Sequence, residues 1–312
     1  MMNVLVIDDL HPVFMEDLRS AGYRVLYRPD ITREETLEII HDFDIIALRS
    51  KFDITREVMD KALKLQCIAR AGAGMDNIDE AYAKEKGMVC LNAPEGNRDA
   101  VAEHAVGMLL DLFRNISKSD QEVRSGIWDR EGNRGLELNG KTLGLIGYGN
   151  TGKSLARKLS GFDMNILAYD KYLYNYSDSY AKEASLDTLY QEADILSFHI
   201  PLTPDTKYWV NDAFIQTIKK PVYLVNTSRG QVVSTSSLIE GLNSGRILGA
   251  ALDVLENERL DRFSEEEQSL FAQLKSMRNV VLTSHIAGWT RESYYKISKV
   301  LSLKIITRFT QP

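Results

Sequence analysis

Along most of the chain, short apolar runs alternate with longer stretches whose apolar residues recur every three or four positions. The runs at 4–7, 23–27, 45–48, 65–69 and 88–91 show little polar alternation, so each predicts a strand buried on both faces. Between them, 15–21, 32–41, 55–63 and 78–86 have helical spacing, and Thr32 stands where a helix cap belongs. Strand, helix, strand in repetition predicts a parallel sheet covered on both faces, with a first unit closing near Asn97. A longer helix follows, with Val101, Ala105, Met108, Leu109, Leu112 and Ile116 on one stripe, wide enough to bridge domains or meet a second subunit. The alternation then resumes. Strands are expected near 143–146, before Asp170, and at 195–199, 222–225, 249–255 and 280–283. Helices are expected at 186–192, 212–219, 236–243, 264–274 and 292–309. Open parallel sheets bind ligands beyond the carboxyl ends of their strands. The loops after Leu48, Ala69, Ile146, Ala168, Phe198, Val225, Leu255 and Thr283 are therefore where chemistry is expected.

The stretch from Thr142 to Asp170 carries the strongest local signal. An apolar run (Leu143, Leu145, Ile146) ends in Gly147-Tyr148-Gly149-Asn150-Thr151-Gly152, a helical segment follows, and a second run closes on Asp170. Gly147 permits a tight turn, Gly149 lets backbone approach a pyrophosphate, and Gly152 lets the helix lie on the strand, with its opening N–H groups toward the phosphates. Asp170, 18 residues beyond Gly152, is placed to accept the ribose hydroxyls of NAD and to repel the 2′-phosphate of NADP. Lys171 pulls the other way. Gly147, Gly152, Lys153 and Ser154 also satisfy the P-loop pattern of nucleoside triphosphatases. That alternative needs neither Gly149 nor an acid closing the next strand; the dinucleotide reading uses both.

Length narrows the class: 312 residues suit two domains of ordinary size. With 44% hydrophobic and 26% charged residues the chain is globular, and a net charge of −6 argues against a nucleic-acid or anionic-membrane partner. Cys67 and Cys90 have no metal-ligand spacing and form no disulfide framework, so a reducing cytoplasm and no metal are expected. Neither a signal peptide nor a transmembrane run is expected.

The segments RAGAGMDNID (from Arg70), HIPLTP (from His199), NTSRG (from Asn226), AALDV (from Ala250) and SHIAG (from Ser284), together with the Gly147 fingerprint, resemble the D-isomer-specific 2-hydroxyacid dehydrogenases in the family's own order. The resemblance spans essentially the whole chain and is nearest the D-3-phosphoglycerate dehydrogenase branch, without the C-terminal regulatory extension that some members carry. It implies an α/β fold of two doubly wound parallel-sheet domains, with a Rossmann NAD-binding domain at 98–285 inserted into a flavodoxin-like substrate domain made of 1–97 and 286–312. A homodimer through the cofactor domain is the family expectation.

Residue chemistry points the same way. Reducing a 2-oxo acid needs a cation to hold its carboxylate and a proton donor active near neutral pH. Arg229 offers a planar fork at a strand end, and His285 sits at another. A carboxylate beside the histidine would hold its tautomer and favour its protonated form. The family places these roles on residues matching Arg229, Glu258 and His285. Arg259 stands where the family usually has Pro, which leaves Glu256 as an alternative to Glu258, and Ser284 replaces a frequent Pro before the histidine. The resemblance further assigns Asn150 and Thr151 to the pyrophosphate, Thr227 to the nicotinamide ribose, Asp253 to the carboxamide, and His199 and Pro201 to the cofactor site. Arg49, Ser50, the Ala71-Gly72-Ala73-Gly74 loop and Asn97 are expected to meet substrate, with Arg49 matching a phosphate ligand of the phosphoglycerate branch. His11, His41 and His104 lack a partner pattern and read as structural or surface residues. Two functions stay open: a dehydrogenase for a small anionic 2-hydroxy acid, phosphorylated or of the glycerate and glyoxylate kind, and an NAD(H)-sensing corepressor of the same fold.

Overall fold

The structure, a computed structural model, describes residues Met1–Phe309; the last three residues of the expected substrate domain, 310–312, lie outside the described residues. The strands in chain order are β1 (Asn3–Val6), β2 (Arg24–Tyr27), β3 (Ile45–Leu48), β4 (Cys67–Arg70), β5 (Val89–Asn92) and β6 (Thr142–Ile146). They continue as β7 (Asn165–Tyr169), β8 (Lys182–Glu183), β9 (Ile195–Phe198), β10 (Val222–Asn226), β11 (Ile247–Leu252) and β12 (Val280–Leu282). The helices are α1 (Val13–Ser20), α2 (Arg33–Ile39), α3 (Arg56–Lys61), α4 (Glu80–Glu85), α5 (Pro94–Arg114) and α6 (Ile116–Arg124). Then come α7 (Asn150–Leu159), α8 (Leu186–Glu192), α9 (Asp212–Thr217), α10 (Thr235–Asn243), α11 (Glu265–Ser276) and α12 (Arg291–Phe309). Two compact units result: Met1–Arg98 with the segment from Trp289 onward, and Asp99–Gly288. Among the described residues no helix is long and apolar enough to cross a membrane.

The first unit is built on a parallel sheet in the order β2-β1-β3-β4-β5. Central β3 is buried throughout, whereas edge strand β2 exposes alternate residues. The order reverses between β1 and β3, and the loops after those strands carry Asp8 and Arg49. Thr32 caps α2 in a reciprocal box with Glu35, as its position predicts. The C-terminal helix belongs to this unit for a physical reason. Ile297, Leu301 and Ile305 of α12 join Phe14 and Leu18 of α1 in one core. Around that core Lys299 pairs with Asp17 at 2.8 Å and Lys304 with Glu95 at 2.9 Å. A Cβ on Gly96 would stand 2.5 Å from the Ile297 Cα, so the first turn of α5 meets the α12 backbone where only glycine fits.

The second unit holds the sheet β12-β11-β10-β9-β6-β7-β8, again parallel throughout the described pairings. Its order reverses between β6 and β9, the crevice in which a Rossmann sheet receives a dinucleotide. Two elements differ from expectation. The long helix begins at Pro94 and stops at Arg114, because Asn115 adopts a left-handed φ of 53° and starts a new helix, α6. Ile116, expected on the buried stripe, is therefore 54% exposed at the head of α6. The short edge strand β8 had no apolar run to reveal it.

Candidate active site

At the β6–β9 reversal the Gly-rich turn is shaped by close contacts. Gly147 has φ +97°, and a Cβ there would lie 2.4 Å from the His199 carbonyl oxygen; one on Gly152 would lie 2.2 Å from the Gly147 oxygen. Gly149 has open space around it and caps α7 without any side-chain hydrogen bond, leaving exposed Asn150 and half-buried Thr151 at the helix mouth. Asp170 Oδ2 accepts the Tyr148 N–H at 2.9 Å, and Oδ1 accepts from Tyr172 and Leu173 at 2.9 and 3.2 Å. The acid at the strand tip thus ties the turn to the loop after β7 and fills three of roughly four lone-pair sites. Lys171, the cation that spoke for a 2′-phosphate, pairs at the surface with Asp205 at 2.8 Å. Thr227 Oγ1 is buried without a hydrogen-bond partner. An uncapped helix mouth, two glycines in the turn with no room for a Cβ and an orphaned buried hydroxyl together fit a dinucleotide. Pro201 is exposed, and its carbonyl is taken by the Thr206 hydroxyl at 2.7 Å.

Three further loops emerge from the same edge of this sheet. Asn226, fully buried at the end of β10, accepts the Ser228 N–H and hydroxyl at 3.0 and 2.8 Å and donates to the Arg229 carbonyl at 2.9 Å. That side chain sets the Arg229 backbone; the Arg229 Nη1 donates to the Ser228 carbonyl at 2.7 Å. A Cβ on Gly230 would fall 1.7 Å from the Leu255 oxygen, so this turn seats directly on the loop that carries the candidate acids. There Glu258 Oε2 lies 2.8 Å from His285 Nδ1. Glu256 instead accepts the Thr235 N–H at 3.2 Å. The missing Pro has a local substitute: Asn257 Oδ1 accepts the Arg259 N–H at 2.9 Å, a bond that Pro at 259 would lack, and Asn257 Nδ2 donates to Glu267.

His285 has φ +55°, a left-handed conformation that costs about 1–3 kcal/mol in a non-glycine residue and survives only where surroundings enforce it. The enforcement comes from Asp253. Its backbone carbonyl accepts the His285 N–H at 2.8 Å, Oδ1 accepts from Ile286 at 2.9 Å and from the Thr283 hydroxyl at 2.6 Å, and Oδ2 accepts from Ala287 at 2.8 Å. The sequence offered Asp253 as a carboxamide ligand and gave no sign of this second duty, since its partners lie some thirty residues away.

In the first unit the loop after β3 is organised by Asp8, whose Oδ2 accepts the N–H groups of Arg49, Ser50 and Lys51 at 2.9, 2.9 and 3.0 Å. The Arg49 guanidinium stacks on the Trp289 ring, 3.9 Å from its centroid; burial lowers its pKa while Asp8, Asp9 and Tyr294 act against that. Lys51 Nζ donates to the Pro29 carbonyl. The Ala71–Gly74 loop is held from behind: Ala71 N–H donates to Leu48, Gly72 O accepts from Ala93, and Ala73 O accepts from Asn92 Nδ2 at 2.6 Å. The Arg70 guanidinium lies where a Cβ of residue 72 would be, so Gly72 makes room for it. Asn97 Oδ1 is buried without a partner. Asp8 and Trp289 were missed; Asp8 lies 41 residues from Arg49, and nothing local in the sequence links them.

The geometry defines a dinucleotide-binding α/β protein with a histidine–carboxylate pair at the edge of its Rossmann sheet. A family profile described as D-isomer specific 2-hydroxyacid dehydrogenase, NAD binding domain, matches residues 106–287, and the chain belongs to that family. Its cofactor is NAD. A D-3-phosphoglycerate dehydrogenase from Methanocaldococcus jannaschii is 36% identical over 98% of this chain and 57% of that protein. A hydroxypyruvate reductase from Thermotoga maritima is 37% identical over 88% of each chain. The chain thus spans little more than half the length of the phosphoglycerate dehydrogenases it matches first. Among solved structures, a D-lactate dehydrogenase from Aquifex aeolicus complexed with NAD and lactic acid superposes with a TM-score of 0.83 at 27% identity, covering 99% of this chain and 95% of that one.

His199 gives a pH prediction. Burial lowers its imidazole from 6.5 to about 4, and Ser197 Oγ lies 2.8 Å from its Nε2. Between pH 6.5 and 4 the unfolded chain takes up a proton that the folded one refuses, so this residue's contribution to stability is present above pH 6.5 and is lost on acidification. Denaturant unfolding across that window should show a shallower loss for His199→Gln than for the parent. Parallel curves would remove His199 as the cause.

Proposed function

We propose that the chain is an NAD-dependent D-2-hydroxyacid dehydrogenase that interconverts a small anionic 2-oxo acid and its 2-hydroxy acid. The observation carrying this reading is the 2.8 Å pair of His285 and Glu258, held on a histidine of left-handed backbone. Bound NADH supplies the hydride that reduces the C2 carbonyl. The protein's own residues do the rest. Arg229 grips the substrate carboxylate through its fork and draws charge toward the carbonyl oxygen. His285, with Nδ1–H donated to Glu258, is left with Nε2 to pass a proton to that oxygen as the alkoxide forms. Glu258 fixes the orientation of the ring.

The decisive assay is NADH oxidation with a panel of 2-oxo acids, and absence of turnover with every one would sink the reading. His285→Ala should lower kcat by about 10²–10⁴-fold while NADH affinity stays near the parent's. Glu258→Gln should also slow turnover, whereas Glu256→Gln should not; the reverse would move the role to Glu256.

For the first unit we propose that Arg49 and Ser50 read the distal group of the acid, with the Ala71–Gly74 loop and Asn97 lining the substrate. Asp8 and the Pro29 carbonyl already occupy the neighbouring amides and Lys51, which leaves the Arg49 guanidinium, stacked on Trp289, as the cation of this loop to meet the acid. A dianionic acid such as 3-phosphohydroxypyruvate is expected to be reduced better than pyruvate or glyoxylate. Arg49→Ala should raise KM for the phosphorylated acid and scarcely alter it for an unphosphorylated one. Equal shifts would show that Arg49 does not read the distal anion.

A homodimer through the NAD-binding unit is also proposed. It is supported by apolar side chains left bare on α6 and the loop after it, among them Val123 at 49% and Trp128 at 84% exposure. Light scattering should return twice the chain mass, and a monomer at micromolar concentration would refute it.

A further inference from the structure

His104, which the sequence offers only as a structural or surface residue, reaches the loop of the reacting histidine. It stands on α5, 22% exposed at its side chain, with Nε2 2.9 Å from Thr283 Oγ1 and 3.4 Å from Asp253 Oδ1. The hydrogen-bond directions follow from proton counting. Thr283 has one hydroxyl proton and sits 2.6 Å from Asp253 Oδ1, an acceptor, with the Met108 sulfur a weaker alternative at 3.7 Å. The proton therefore goes to Asp253, and the hydroxyl oxygen is left to accept from His104 Nε2–H. Asp253 is 1% exposed, and burial opposes its ionisation. The bonds from Thr283, Ala287 and Ile286, with His104 Nε2 3.4 Å away, nevertheless hold it below the usual carboxylate range. A carboxylate kept ionised in this way is a firm acceptor for the two amides that follow His285.

We propose that His104 is a positioning residue for His285: its Nε2–H aims the Thr283 hydroxyl at Asp253, and Asp253 in turn fixes the Ile286 and Ala287 amides that hold His285 in its left-handed conformation. The proposal rests on the dehydrogenase reading for the role of His285, but the chain of bonds is made by the protein's own residues. A side chain that merely filled space beside α5 would not need a donor at Nε2. One that orients a hydroxyl would.

The test compares the full chain carrying His104→Leu, His104→Gln or Thr283→Val with the parent. A displacement of about 1 Å in a reacting group can lower a rate by about 10²-fold, so His104→Leu and Thr283→Val are expected to lower kcat at least about tenfold. NADH affinity should stay within about twofold. His104→Gln, whose amide can donate from the same side, should recover most of the rate. Hydrogen exchange at the Ile286 and Ala287 amides, read without cofactor, should quicken in His104→Leu and Thr283→Val and stay at the parental rate in His104→Gln. Undiminished turnover and exchange in His104→Leu would overturn the proposal. So would equal damage in His104→Leu and His104→Gln accompanied by a matching fall in thermal midpoint. If His104→Leu does not fold, Thr283→Val decides, and parental exchange in that variant overturns the proposal. Should the parent itself reduce no 2-oxo acid, the functional reading fails, while the exchange comparison still judges the chain of bonds.

Discussion

Parallel pairing is the constraint on which everything else rests. Each strand of the second unit runs the same way, so the ends of β10, β11 and β12 open on one edge, and residues far apart in sequence arrive there together. The same constraint makes the loops difficult to build, because a functional loop at a sheet edge must satisfy its own amides and carbonyls without a ladder. Both units solve this with short polar side chains directed at backbone. Asn226 folds the Arg229 turn, Asn257 the Glu258 turn, Asp170 the turn at Gly147, and Asp8 the loop of Arg49. Around Arg49 and Glu258 the neighbours hold the loop and leave the functional side chain for chemistry, whereas Asp170 is itself the residue that ties its turn.

The sequence made the architecture legible because its signals are local. Apolar runs without alternation specify buried parallel strands, and the spacing of Gly147, Gly149, Gly152 and Asp170 specifies a dinucleotide turn within a single strand–helix–strand unit. Element ends were less legible. The break at Asn115 depends on a single residue entering left-handed space, and the helical stripe reads through it without a gap.

Least legible were the partners that lie far off in the chain. Arg229, Glu258 and His285 could be named by resemblance. Choosing Glu258 over Glu256 as the neighbour of His285 required the fold of the 255–259 loop, which turns on Asn257 where Pro is usual. Asp253, His104 and Thr283 meet only in three dimensions, and a histidine on an otherwise apolar stripe carries no mark of its partner. Charge composition was silent as well: a net charge of −6 for the chain says nothing about an arginine stacked on Trp289 with two aspartates nearby.

The left-handed backbone at His285 sets stability against turnover at a single position. Glycine enters that conformation without steric penalty, and asparagine enters it more readily than histidine. A library screened only for heat resistance would therefore be drawn toward Gly or Asn at 285 and would discard the imidazole. Thermal hardening of this protein has to begin elsewhere, in surfaces that hold no loop at the sheet edge.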